Sequence, residues 1–140
     1  MNDWILEARV RSFLHEYAAC LDEERFDDWL SLFDAADCGY EVLSRENRDL
    51  GLPAPIMSCY SYGMVCDRVA MLVKGVLTYR HNLLLRQVSN LRVGRDLHGN
   101  ITVKAALVVF QSSEEGVSSL YMVARYERLD SRSAGAFVPA

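Results

Sequence analysis

Histidine and proline are scarce in this chain of 140 residues, with three of each, and tryptophan occurs only twice. His15, His81 and His98 are all the imidazoles present, and no two stand at the spacing that puts two ligands on one helix face, which argues against a histidine metal centre. The eight glycines are scattered singly. No G-x-G-x-x-G or G-x-x-x-x-G-K-[ST] cradle for phosphates occurs, and no G-x-S-x-G elbow presents a nucleophilic serine. Four cysteines are present, Cys20, Cys38, Cys59 and Cys66, but no C-x-x-C pair, so they are expected to be reduced and mostly buried small hydrophobes. The longest unbroken apolar run, from Ala105 to Phe110, is far short of the ~20 residues of a bilayer span. Met1-Asn2-Asp3-Trp4 carries acid where a signal peptide carries positive charge, so the expected location is the cytoplasm, with no membrane partner.

What is present is the composition of an ordinary globule: 51% hydrophobic and 24% charged residues, in a length that suits one domain. The expected domain covers residues 1–130. The small and polar residues 131–140 are expected to form a C-terminal tail without fixed structure. Charge is uneven along the chain. Residues 1–60 hold thirteen acids and five bases, a net −8, whereas residues 61–112 hold two acids and seven bases, a net +5. The bases of that middle segment are dispersed and the whole chain is at −4, which argues against nucleic acid. An acidic helical layer and a more basic sheet surface facing different partners fit the distribution better.

Apolar residues at Leu6, Val10, Phe13, Leu14, Tyr17 and Leu21 recur on one face of a helix, and Phe26, Trp29, Leu30 and Phe33 repeat the spacing over a shorter second helix. Tyr40–Ser44 suits a strand; residues 45–55, polar and holding Gly51, Pro53 and Pro55, suit a loop; Ile56–Ser61 suits a second strand. From Tyr62 the helical period returns and ends near Gly75. The period then becomes two over Leu83–Val93, Ile101–Gln111 and Ser118–Asp130, an antiparallel meander of long strands. In the middle strand Val103, Ala105, Leu107 and Val109 share one face, and the opposite face, with Ala106, Val108 and Phe110, is apolar enough to be covered by a neighbour. Helices first and hairpin-linked strands after them predict an α+β fold, with helices packed on one face of a strongly bent sheet. An acid or base inside such a cone acquires a shifted pKa and becomes a proton carrier; Tyr17, Asp37 and His81 are the candidates. Each also has an ordinary reading, as a core, turn and surface residue respectively.

The order of motifs resembles a family. Phe13-Leu14 through Leu21-Asp22-Glu23, then Phe26-Asp27-Asp28-Trp29-Leu30-Ser31-Leu32-Phe33, then Tyr40-Glu41-Val42, is similar to the opening of the small (β) subunits of bacterial aromatic-ring-hydroxylating dioxygenases. Asp67-Arg68-Val69-Ala70-Met71-Leu72 and Val88-Ser89-Asn90-Leu91-Arg92-Val93 resemble a helix and a strand of the same family, and the likeness runs from about residue 10 to residue 128. Asn47, Asp49, Gly51-Leu52 and Arg80-His81 most resemble the branch associated with aromatic carboxylates such as terephthalate or salicylate.

The resemblance implies a cystatin-like cone of the nuclear-transport-factor-2 type and assembly with a Rieske oxygenase large (α) subunit, commonly three copies of each. It implies that the large subunit carries the Rieske iron–sulfur cluster and the mononuclear iron, and that this chain holds no cofactor and no metal. The implied role is structural, and the leading expectation is a non-catalytic subunit that meets its partner through the outer sheet and the 45–55 loop, with Trp29, Tyr40 and Arg92 as interface candidates that each read equally well as core residues. Two departures stand out. Leu85-Arg86-Gln87 occupies the place where many members have Arg-His, and the chain runs into Ser131-Arg132-Ser133 where many members add another strand. A missing strand would leave an unpaired sheet edge, and with it a homo-oligomer in isolation or reduced stability. The competing expectation is a stand-alone isomerase, dehydratase or ligand-binding protein on the same cone.

Overall fold

The computed structural model describes residues 2–52, 54–75 and 81–127, and the backbone of 136–139. Helix α1 spans Asp3–Asp22. It stops where Glu24 enters the left-handed region (φ 56°), with the Arg25 N–H donating to the Cys20 carbonyl at 2.8 Å and the Glu24 N–H to that of Leu21 at 3.3 Å. This is the double closure that satisfies the last carbonyls of a helix. Helix α2, Phe26–Ser31, follows at once with Asp27 and Asp28 in its first turn. Helix α4, Tyr62–Val73, is capped by Ser61, whose hydroxyl accepts from the Met64 N–H, and ends at Gly75 with φ +69°.

The expected loop at 45–55 is in part a helix, α3, over Arg45–Asp49. Ser44 caps it by accepting from the Asn47 N–H at 3.1 Å, a start signal outweighed in the sequence by Gly51 and the two prolines that follow.

Strands β1 (Tyr40–Val42), β2 (Met57–Cys59), β3 (Leu83–Arg95), β4 (Ile101–Ser112), β5 (Ser118–Glu127) and β6 (Ala136–Pro139) form one sheet in the order β2-β1-β6-β5-β4-β3. The meander β3–β4–β5 is antiparallel throughout. The structure corrects the expectation for the end of the chain. Residues 136–139 are not tail but a strand, antiparallel to β5 and parallel to β1. Backbone pairing on both sides supplies the reason, because without β6 the edges of β5 and β1 would lack partners. With β5 covered, the open edge from which self-association was expected is absent at that position. Residues 128–135, including the rest of the expected tail and the end of the third long strand, lie outside the described residues.

Register shifts at Ser89/Arg92, where Asn90 has φ 52°, and at Val109/Phe110 interrupt the two long ladders. Extra residues of this kind bend the strand that holds them and increase its twist, which curves the sheet round the helices. On the face toward the helices Val103, Ala105, Leu107, Val109, Ala124 and Tyr126 are buried against Leu14, Tyr17, Cys20, Trp29, Phe33, Val65 and Val69. One carboxylate ties the two layers together. Asp22, at the end of α1, accepts from the Arg86 N–H at 2.9 Å and from its guanidinium at 2.7 Å, so it also occupies a backbone donor on the β3 edge.

Candidate partner interface and the cone interior

The interior of the cone is filled by aromatic rings. Tyr17 packs edge-on to Trp29 and Tyr126 with ring centroids 5.7 and 6.0 Å apart, and Trp29 packs likewise on Phe33 at 4.7 Å and on Tyr40 at 6.0 Å. Burial, reinforced by the neighbouring Tyr40 and Tyr126, pushes the Tyr17 phenol well above its usual value. Burial likewise raises Tyr126, and raises Tyr40 to about 12, although the Arg86 guanidinium opposes both shifts. These phenols are held in the neutral form. Neither the Tyr17 hydroxyl nor the Trp29 indole N–H has a partner at bonding distance among the described residues, although the indole lies near enough to favour phenolate slightly.

The three acid–base candidates do not converge. Tyr17 is in the core, Asp37 is exposed in the segment between α2 and β1, and His81 is exposed at the start of the β3 region, where its Nε2 lies 3.3 Å from Glu24. Sequence reasoning had no means of finding Glu24 as the partner of His81, because the two are far apart in the chain and meet only where α1 ends beside β3. A groove of about 560 Å3 opens there, walled by Leu21, Phe26, Leu72 and Leu84 and edged by His81 and Arg86. Among the described residues no three His, Cys, Asp or Glu side chains are placed to hold a metal ion. The four cysteines are free, and burial raises the Cys20, Cys38 and Cys59 thiols.

The interface candidates separate in the same way. Trp29 is 4% exposed and belongs to the core, the second of its two expected readings, with its indole packing α2 against Tyr17, Phe33 and Tyr40. Tyr40 is half-buried at the margin of the same cluster. Arg92 is exposed on the outer face of β3, opposite Lys104 of β4.

That outer face carries features that the sequence hinted at only in part. Leu85 pairs with Phe110, Phe110 with Leu120, and Val108 with Val123. Leu85, Phe110, Leu120 and Val123 remain 56, 37, 57 and 42% exposed, an apolar band across three strands. Helix α3 lies on the same side of the sheet. Its Arg48 donates to Glu127 at 2.9 Å, and Glu127 faces outward beside Lys104. That ion pair ties α3 to the outer side of β5, and Leu50, Leu52 and Ile56 nearby in the chain are also exposed.

Helices packed into a curved six-stranded sheet define an α+β cone of the cystatin-like class. No model of a protein family matches the chain. It is 34% identical over 130 residues, 90% of this chain and 75% of the other, to the anthranilate 1,2-dioxygenase small subunit of Burkholderia cepacia. It is 32% identical over 77 residues, 55% of this chain and 49% of the other, to subunit beta 2 of the terminal oxygenase component of terephthalate 1,2-dioxygenase from a Comamonas species. A solved structure from Novosphingobium aromaticivorans, assigned as the β subunit of an aromatic-ring-hydroxylating dioxygenase, superposes with a TM-score of 0.82 at 28% identity, covering 97% of this chain and 90% of that one. The chain belongs to the small (β) subunits of aromatic-ring-hydroxylating dioxygenases.

Proposed function

We propose that this chain is a structural subunit that stabilises the large subunit of a Rieske-type oxygenase acting on an aromatic carboxylate, and that it contributes no catalytic group. The observation that carries the reading is the 34% identity to an anthranilate dioxygenase small subunit over nearly the whole chain. The close packing of Tyr17, Trp29, Phe33 and Tyr126 in the core fits a scaffold. In this reading the Rieske cluster and the mononuclear iron belong to the large subunit, and three copies of each chain assemble. The assembly works in the cytoplasm. Residues 1–130 act as a single domain, to which the strand at 136–139 adds the part of the sheet between β1 and β5.

Co-expression with the large (α) subunit of an aromatic-ring-hydroxylating oxygenase tests the reading. The two are expected to purify together, with iron in the complex and none in this chain alone. Failure to associate, together with turnover of a small aromatic compound by the isolated chain, would instead favour an acid–base enzyme working at the His81 groove.

A further inference from the structure

The groove of about 560 Å3 lies where α1 ends at Asp22 and α4 at Val73, against the ends of β3, β4 and β5, and its size is that of a small-molecule site. Leu21, Phe26, Leu72 and Leu84 make its walls apolar. Two features of it go beyond what packing of the fold requires. The register of β4 on β5 pairs Val109 with Met122 and Phe110 with Leu120, so Tyr121 is the extra residue of a bulge, and its half-exposed ring lines the groove. Bulges re-aim side chains in this way beside binding sites. Arg86 is the second feature. Its side chain is 16% exposed and gives one guanidinium nitrogen to Asp22 at 2.7 Å, while the rest of the guanidinium has no further hydrogen-bond partner among the described residues. A guanidinium so far withdrawn from water has N–H groups left to spend on an acceptor in the groove. That acceptor is not a second full negative charge. Asp22 already neutralises Arg86, and Glu24 stands at the edge of the same groove, 3.3 Å from His81, so an anion there would meet net repulsion.

We infer that this groove binds an uncharged aromatic alcohol, with its ring against Tyr121 and the apolar wall and its oxygen accepting from Arg86. The carboxylate of Glu24 gives the hydroxyl proton of such a ligand an acceptor at the rim. The inference needs the folded chain and no partner, so it stands apart from the reading of the chain as a small subunit.

The test is a titration of the full, isotope-labelled chain with 2-naphthol, followed in its amide NMR spectrum, and a parallel titration with 2-naphthoate. 2-Naphthol should give saturable shifts centred on residues that line the groove, such as Leu72, Leu84 and Gln111. 2-Naphthoate, the same ring system with a carboxylate, should bind roughly 5-fold or more weakly. Tyr121→Ala should weaken 2-naphthol binding about 3- to 10-fold, the loss of one aromatic contact. Tyr60→Ala removes an exposed ring outside the groove and should leave the affinity unchanged, with both variants keeping the wild-type spectrum away from the substitution. The absence of saturable shifts, shifts centred on the outer face of the sheet, full affinity in Tyr121→Ala, or tighter binding of 2-naphthoate than of 2-naphthol would each overturn the inference. None of these results touches the small-subunit reading, which co-expression decides.

Discussion

A buried phenol resists ionisation, and three of them in one core give this chain a characteristic response to alkali. The raised folded-state values of Tyr17, Tyr40 and Tyr126 mean that above pH 10 the unfolded chain releases protons that the folded chain retains. The stabilisation is therefore complete below pH 10 and is lost as pH rises through about 12, the folded value of Tyr40. Unfolding followed by circular dichroism should begin in that window, with the tyrosinate absorbance of the three buried phenols, beyond that of exposed Tyr60 and Tyr121, appearing together with loss of structure. Tyr17→Phe removes a hydroxyl without a close partner and should change stability by no more than about 1 kcal/mol. Trp29→Ala opens a cavity beside Tyr17 and Phe33 and should cost about 3–5 kcal/mol in denaturant titrations. Asp22→Ala orphans a half-buried guanidinium and the Arg86 N–H, for an expected loss of about 2–3 kcal/mol. Residue roles were the least legible part of the sequence. Periodicity places Trp29 on a helix face but does not say whether that face turns inward. The pairs Asp22–Arg86 and His81–Glu24 join positions that only the packing of α1 against β3 brings together.

At the scale of elements the sequence is more readable, because a sustained period carries information that a single residue does not. Helices α1, α2 and α4 and the three long strands stand close to where period and capping put them, and Glu24 and Gly75 end helices for the same backbone reason. Two short elements, α3 and β6, were missed, whereas the three-residue strands β1 and β2 fall inside the expected Tyr40–Ser44 and Ile56–Ser61. Five residues of α3 hold too little periodicity to outweigh the glycine and prolines after them, and the four of β6 gain their order from two neighbouring strands rather than from their own pattern. Removing residues 136–140 should accordingly unseat β1 and β2 from the rest of the sheet. A fall in melting temperature of about 10 °C or more is expected, the result of losing several kcal/mol of pairing and packing in a domain of this size. A truncated chain that melts with the full-length one would show that β6 adds nothing to the sheet.

For the whole molecule, the division between an aromatic-filled interior and an outer face of apolar and basic side chains separates stability from chemistry. If this chain only supports its partner, its folding free energy is linked to the lifetime of the assembly, because a partner that binds only the folded form is released as the folded population falls. The truncated chain and Trp29→Ala are therefore expected to shorten the half-life of the oxygenase at elevated temperature, in proportion to their loss of stability. The initial rate of aromatic oxidation per iron, measured at low temperature in freshly assembled complex, should stay at the wild-type level. Tyr17→Phe, Asp37→Asn and His81→Gln belong to the same experiment, since they remove each acid–base candidate in turn with little expected effect on folding. A rate per iron that drops with any of these three, while the half-life holds, would place a reacting group in this chain and contradict the structural role. Rates that stay level, with half-lives that track folding, are what a scaffold requires.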